Sequence, residues 1–302
     1  MNKVMNMGLG ALRWPGSVGR CEALLLMVAV VWGSSYGVAK GALLWYPVLG
    51  FLALRFLLTA LLLLPLYRAW TWPQWRAALA AGLPMGGLLW LVFLAETYGV
   101  TQTTASQAAF LISLCVVLTP FVEWIFQGKR PSVDVWGAAA VSCAGTWLLV
   151  GGQAWVWSWG DALMLLAAVL RAVLMAASPR LTARYTGPSL ALTAIQAAVV
   201  GLGSLVLAVV LLPWPQLALP QAPAFWVGVV YLVLGCTVFA FFAQNYAARR
   251  TPPSRVALLL GSEPVFGALF AVLWLGESLS PLAWAGAALV LTATLAVSLR
   301  PR

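Results

Sequence analysis

Ten apolar runs, separated by short polar breaks, dominate this chain. A helix needs about 20 such residues to cross a bilayer. In the first half the runs fall near residues 22–40, 46–67, 77–95, 107–126 and 134–151. In the second half they fall near 160–178, 188–212, 223–247, 256–275 and 281–299. Of 302 residues, 63% are hydrophobic and 8% charged, against about 25% charged in soluble domains. A water-soluble globule is therefore excluded, and the spacing leaves no room for an extramembrane domain. The first run follows Lys3, Arg13 and Arg20. It is too long for a signal peptide's apolar core and no small-residue cleavage site closes it, so it reads as a retained crossing.

The 17 Lys and Arg residues fix the expected orientation. Fourteen lie in the N-terminal tail, in alternate breaks (Arg68 and Arg76; Lys129 and Arg130; Arg180 and Arg184; Arg249, Arg250 and Arg255) or at the C-terminal end (Arg300 and Arg302). The other breaks hold Lys40 alone, while Arg55 and Arg171 sit inside apolar runs. Because Lys and Arg stay on the cytoplasmic side, ten crossings with both termini cytoplasmic satisfy every break together. The net charge of +10 thus reflects membrane topology, and no basic amphipathic face suggests nucleic acid. Trp70, Trp72 and Trp75 on one side, and Trp155, Trp157 and Trp159 on the other, read as interfacial anchors.

The halves repeat. A shift of 148 positions aligns Gly87 with Gly235, Phe93 with Phe241, Tyr98 with Tyr246, Ser106 with Ser254, Val117 with Val265, Gly128 with Gly276, Ser132 with Ser280 and Trp136 with Trp284, without a gap. A shift of 141 pairs Pro47 with Pro188 and Arg55 with Gln196, and 139 pairs Glu22 with Asp161. Five crossings per repeat is an odd number, so the second copy enters from the opposite face, as an inverted-topology repeat. The expected fold class is an all-α integral membrane protein of ten transmembrane helices in two inverted five-helix repeats, 18–151 and 158–299. Such halves can expose a shared midplane site to either side in turn.

Several segments carry a family resemblance. Ala105-Ser106-Gln107-Ala108-Ala109-Phe110 resembles the first-repeat motif of the EamA branch of the drug/metabolite transporter superfamily. The stretch from Ser254 through Leu258-Leu259-Leu260-Gly261-Ser262-Glu263-Pro264 to Phe266, followed by Gly276-Glu277, resembles its ninth-helix signature. Trp32-Gly33-Ser34-Ser35 and Arg55-Phe56 also match. Within the family the chain is most similar to amino-acid exporters of the YddG type. This resemblance implies a bacterial inner-membrane protein that exports aromatic and other amino acids, needs no cofactor and takes small molecules as partners. The repeats differ where Cys115 stands opposite Glu263 and Lys129 opposite Glu277, so any coupling role for these carboxylates is asymmetric.

A charge at mid-bilayer costs at least about 2.5 to 3.5 kcal/mol, so it should face the bundle interior or a wet cavity. Arg55, Arg171 and Glu263 are deep enough to qualify; fixed cations would meet a zwitterion's carboxylate and Glu263 its ammonium. The alternative is that they only pin helices together. Trp32, Trp90 and Tyr231 are candidate aromatic walls, and Gln196 and Ser113 candidate hydrogen-bonding groups; Ser113 has the further option of bonding back to its own helix. Helix breaks are expected at Pro84, Pro120, Gly235 and Pro264, because interrupted helices expose backbone groups at transport sites.

No histidine occurs, which removes imidazole bases and His-ligated metal. Cys21, Cys115, Cys143 and Cys236 have no CxxC spacing. No phosphate-binding glycine loop appears. Transport is thus expected to be secondary or facilitated, with Glu263 the one carboxylate deep enough for proton coupling. The alternatives are an exporter of drugs or cationic metabolites with the same fold, and a non-transport membrane subunit. An enzyme is not expected, nor is a metal; the lipid bilayer is the expected surrounding, and the oligomeric state stays open.

Overall fold

A computed structural model describes residues 19–67, 70–103, 105–128, 130–150, 157–275 and 278–298. Lys3, Arg13, Arg68, Lys129, Trp155, Glu277, Arg300 and Arg302, on which several expectations above rest, lie outside the described residues. Among the described residues every regular element is helical. Ten rods run in chain order. They are α1 (Arg20–Leu43), α2 (Val48–Leu63), α3 (Trp72–Gln102), α4a (Ala105–Ser113) with α4b (Cys115–Gln127), and α5 (Val133–Leu149). Then come α6 (Trp159–Leu181), α7 (Ser189–Leu211), α8 (Pro223–Ala248), α9a (Pro253–Leu260) with α9b (Glu263–Leu275), and α10 (Pro281–Ser298).

Local chemistry sets the ends. Pro223, Pro253 and Pro281 open their helices, where a missing N–H costs nothing. Thr71 with Gln74, and Ser158 with Asp161, form reciprocal capping boxes at the starts of α3 and α6. Five rods (α1, α3, α6, α7 and α8) are long and apolar enough to span a bilayer by length alone. The 16 residues of α2 rise about 24 Å at about 1.5 Å each. The 3₁₀ turn Leu64–Tyr67 adds about 8 Å at about 2 Å each, which completes a crossing.

The halves pack through each other. α2 lies along α7, α3 along α6, and α5 along α10, while α1 crosses α8 and α9b. Several crossings are backbone against backbone. A Cβ at Gly33 would sit 2.6 Å from the Gly267 nitrogen, and one at Gly145 would sit 2.8 Å from the Gly286 carbonyl. Small residues permit this approach where packing, and not the hydrophobic effect, holds helices together. Glu22, Arg180, Arg184, Arg249 and Arg255 gather at one end of the bundle, the basic end. Asp161, the repeat counterpart of Glu22, lies at the opposite end, where it meets Thr103. Equivalent helices therefore enter from opposite ends.

Candidate functional site

Between the halves lies a chamber whose empty space, counted out to its mouth, is about 770 Å³. Leu43 of α1, Phe51 of α2 and Val100 of α3 line it toward the end away from the basic loops. At its depth stand Trp32, Arg55, Glu96, Arg171, Phe241 and Glu263. Arg171 Nη2 is 3.4 Å from Glu263 Oε2, joining α6 to α9b. The Arg171 guanidinium also lies over the Trp32 ring, 4.8 Å from its centroid. Arg55 stands against Phe56 and Phe93, at 5.2 and 5.5 Å, and donates from Nε to Thr237 Oγ1 at 3.0 Å. Each cation is thus held by an aromatic face and a polar partner, which offsets part of the cost of desolvating it. Two cations and two carboxylates share the chamber, so its formal charge balances.

Among the described residues three helices are interrupted, and two of them, α8 and α9, contribute to this chamber. α4 breaks between Ser113 and Cys115, and α9 breaks at Gly261 and Ser262. The shift of 148 maps Ser113 onto Gly261 and Cys115 onto Glu263, so the two breaks are repeat equivalents, and Glu263 begins the helix after the second. In α8 the middle segment Leu232–Phe239 winds as a π-helix. There the Thr237 hydroxyl donates to Leu232 O, five residues back, at 2.8 Å, while the Cys236 carbonyl accepts from Trp32 Nε1 at 2.9 Å. The wider turn presents Thr237 to Arg55 and a carbonyl to Trp32, the use to which π-bulges are commonly put.

A second, smaller and tighter chamber lies toward the basic end. It shares Leu89, Leu174, Phe241 and Gln244 with the first, and these four form the constriction between them. Its wall holds no charged side chain. In it Asn245 Nδ2 donates to Gln196 Oε1 at 2.8 Å and to Thr193 Oγ1 at 3.1 Å. The repeat relates the chambers: Arg55 corresponds to Gln196, Glu96 to Gln244 and Thr97 to Asn245. One half-chamber is ionic and its counterpart is lined by amides. Among the described residues no three His, Cys, Asp or Glu side chains gather as a metal site.

The EamA-like transporter family matches this chain over residues 20–151 and 158–299. The chain belongs to that family. A relative from Archaeoglobus fulgidus, an uncharacterized transporter, is 30% identical over 284 residues, covering 91% of this chain and 85% of the relative. The threonine/homoserine exporter RhtA of Escherichia coli K12 is 26% identical, covering 95% and 96%. A probable terminal-alkyne amino-acid exporter of Streptantibioticus cattleyicolor is 30% identical over 212 residues, 67% of each chain. A solved crystal structure superposes with a TM-score of 0.70 at 18% identity, covering 91% of this chain and 95% of that one, which supports the fold.

Within this EamA-like bundle the residues singled out for depth separate into groups. Trp32, Arg55, Arg171 and Glu263 meet at the charged chamber, and Gln196 lines the amide chamber. Ser113 ends α4a and donates to Phe110 O at 2.7 Å, lining neither chamber. Trp90 donates to Ser204 Oγ at 3.1 Å across the α3–α7 contact. Tyr231 is 37% exposed on the outside of the bundle, where its hydroxyl bonds Ser34. The expected breaks shift in the same way. α3 continues through Pro84, because one lost hydrogen bond kinks a helix without ending it when neighbours hold both sides; Gly82 and Gly86 lie against Ile195 and Val199 of α7. Pro120 lies inside α4b, six residues past the break, and Pro264 sits in the first turn of α9b. Gly235 falls within the π segment.

Glu96, Phe93 and Gln244 line the chamber too, and depth alone did not single them out. The apolar run ends at residue 95 because Glu96 is charged, so by composition Glu96 falls in a break. α3 extends to Gln102 and carries Glu96 inside. The Phe93–Phe241 pairing in the repeat was the signal that marked this helix face.

Proposed function

We propose that this EamA-family transporter exports amino acids by alternating access through the two linked half-chambers. The observation that carries the reading is the charge-balanced chamber of Arg55, Arg171, Glu96 and Glu263, walled by Trp32, Phe93 and Phe241. A zwitterion offers one carboxylate and one ammonium to these groups, and its side chain meets aromatic surface. Two relatives named as amino-acid exporters support the same class. On this reading the basic end is cytoplasmic, in a bacterial inner membrane. The substrate enters the amide chamber, passes the Leu89, Leu174, Phe241 and Gln244 constriction, and leaves through the charged chamber.

Proteoliposomes loaded with labelled threonine, homoserine or phenylalanine test this directly. Saturable efflux, competed by unlabelled amino acids and absent from empty liposomes, is the expected result. Efflux of a cationic dye with no amino-acid flux would overturn the substrate class. Uphill accumulation that a protonophore abolishes would add coupling through a chamber carboxylate; its absence would leave facilitated export.

A further inference from the structure

At the basic end, away from both chambers, a cleft opens between the start of α3 and the end of α6. It measures about 1010 Å³ out to its open rim. Arg76, Arg180 and Arg184 line it, and among the described residues its wall carries no carboxylate. Among the described residues none of the three pairs with an acidic side chain. The floor is apolar: Ala77, Ala80 and Ala81 run along α3, with Leu181 opposite. Tyr185 closes the base, its hydroxyl donating to Pro188 O at 3.0 Å. Burial pushes the Tyr185 phenol up to about 12, against the opposing pull of Arg249, so the floor adds no negative charge at neutral pH. Trp72, 70% exposed, stands on the same first turn of α3, at the level where indoles mark a membrane interface.

The inverted repeat supplies an internal comparison. The same helix pair at the opposite end is α8 with α1. Shifts of 148 and 139 place Ala224, Gly41 and Trp45 where this end has Arg76, Arg180 and Arg184. The repeat-equivalent positions thus carry none of the cleft's three cations.

We infer that this cleft binds the headgroup of an anionic phospholipid, with the phosphate among the three guanidiniums and an acyl chain along the alanine face of α3. Guanidinium forks match phosphate oxygens, and basic pockets between helices at the cytoplasmic interface suit anionic headgroups. The three exposed arginines stand at the end of the bundle where headgroups lie, and the alanines of α3 give the cleft an apolar wall against which a chain can lie. The site is independent of the transported substrate.

Native mass spectrometry of the detergent-purified protein with added phosphatidylglycerol or phosphatidylcholine tests it. The expected result is at least fivefold greater retention of phosphatidylglycerol, reduced at least fivefold in R76Q/R180Q/R184Q. A charge-matched control, R20Q/R130Q/R250Q, removes three exposed arginines that lie outside the cleft and is expected to retain the lipid. Equal retention of both lipids, equal loss in the control, or wild-type retention in the cleft variant would each overturn the inference. Complete displacement of the lipid by millimolar inorganic phosphate would overturn the acyl-chain contact and reassign the cleft to a free anion. Thermal melting of each variant confirms that loss of lipid is not loss of fold.

Discussion

Arg171 and Glu263 join the two halves at 3.4 Å, with side chains 10% and 8% exposed. Removing one partner of a buried pair costs about 3 to 5 kcal/mol where the other charge is left buried; the open chamber and the Trp32 ring against Arg171 lower that cost here. Glu263→Gln is therefore expected to lower the melting temperature modestly and amino-acid flux at least tenfold. Arg171→Gln combined with Glu263→Gln removes both charges and is expected to regain stability without regaining flux. Full flux in the single variant would make the pair a helix pin only. Gly33 supplies a packing test at the same scale. Gly33→Ala sets a Cβ 2.6 Å from the Gly267 nitrogen and 2.8 Å from the Glu263 carbonyl. Backbone cannot rotate away, so a loss of about 1 to 3 kcal/mol follows, read by thermal melting. Gly37→Ala, one turn on, meets nothing within 4 Å and should melt as wild type. Depth in an apolar run made Arg55, Arg171 and Glu263 legible as interior charges. It could not tell Tyr231 from Trp32, because which face of an all-apolar helix turns inward is set by neighbours that sequence periodicity does not reveal.

At the scale of helices, the two ends of the bundle are fastened unequally. At the basic end Glu22 of α1 pairs with Arg255 of α9a at 3.2 Å, and Glu123 of α4b accepts from the Ser254 nitrogen at 3.0 Å and from its hydroxyl. At the opposite end the equivalent positions carry less charge. Asp161 accepts from the neutral Thr103 hydroxyl, Gln107 stands at the position of Arg255, and Ala271 at that of Glu123. The charged chamber lies toward the end with fewer of these charges. Under alternating access, Glu22→Gln with Glu123→Gln should raise the share of molecules open at the basic end. Ser178, which lines the amide chamber, reports it. As Ser178→Cys, in a background lacking the four native cysteines, it should react with an impermeant maleimide from the basic side at least three times faster than without the two substitutions. An unchanged rate would mean that these contacts do not hold the end shut. The breaks were harder to foresee than the spans. Proline marks where a hydrogen bond is lost, but the chain parts at Leu114 and at Gly261 and Ser262, positions that the repeat makes equivalent.

For the molecule as a whole, apolar length and basic spacing carried ten helices into view, because both follow from the bilayer and not from tertiary detail. The chamber's second half was less legible: its amides, Gln244 and Asn245, carry no charge to betray burial, and only the repeat ties them to Glu96 and Thr97. The same inversion yields a topological consequence that needs no substrate. If the second half enters from the opposite face, Leu44 and Ala218 border loops at one face, which the Tyr46 hydroxyl bridges by donating to Leu217 O at 3.1 Å. Arg130, Arg184 and Arg250 then lie at the other. Single cysteines at these five exposed positions, introduced one at a time into a chain without native cysteines, should divide in intact cells into two sets. Leu44→Cys and Ala218→Cys should be blocked by impermeant maleimide added outside, while Arg130→Cys, Arg184→Cys and Arg250→Cys should react only after the membrane is opened. Because Leu44 follows the first crossing and Ala218 the seventh, their agreement requires an even number of crossings between them, six in the ten-helix fold. If Leu44→Cys and Ala218→Cys react from opposite sides, an odd number of crossings separates them and the inverted arrangement fails. If they agree with each other but also with Arg184→Cys, the intervening rods do not span, and the chamber between the halves cannot connect two compartments.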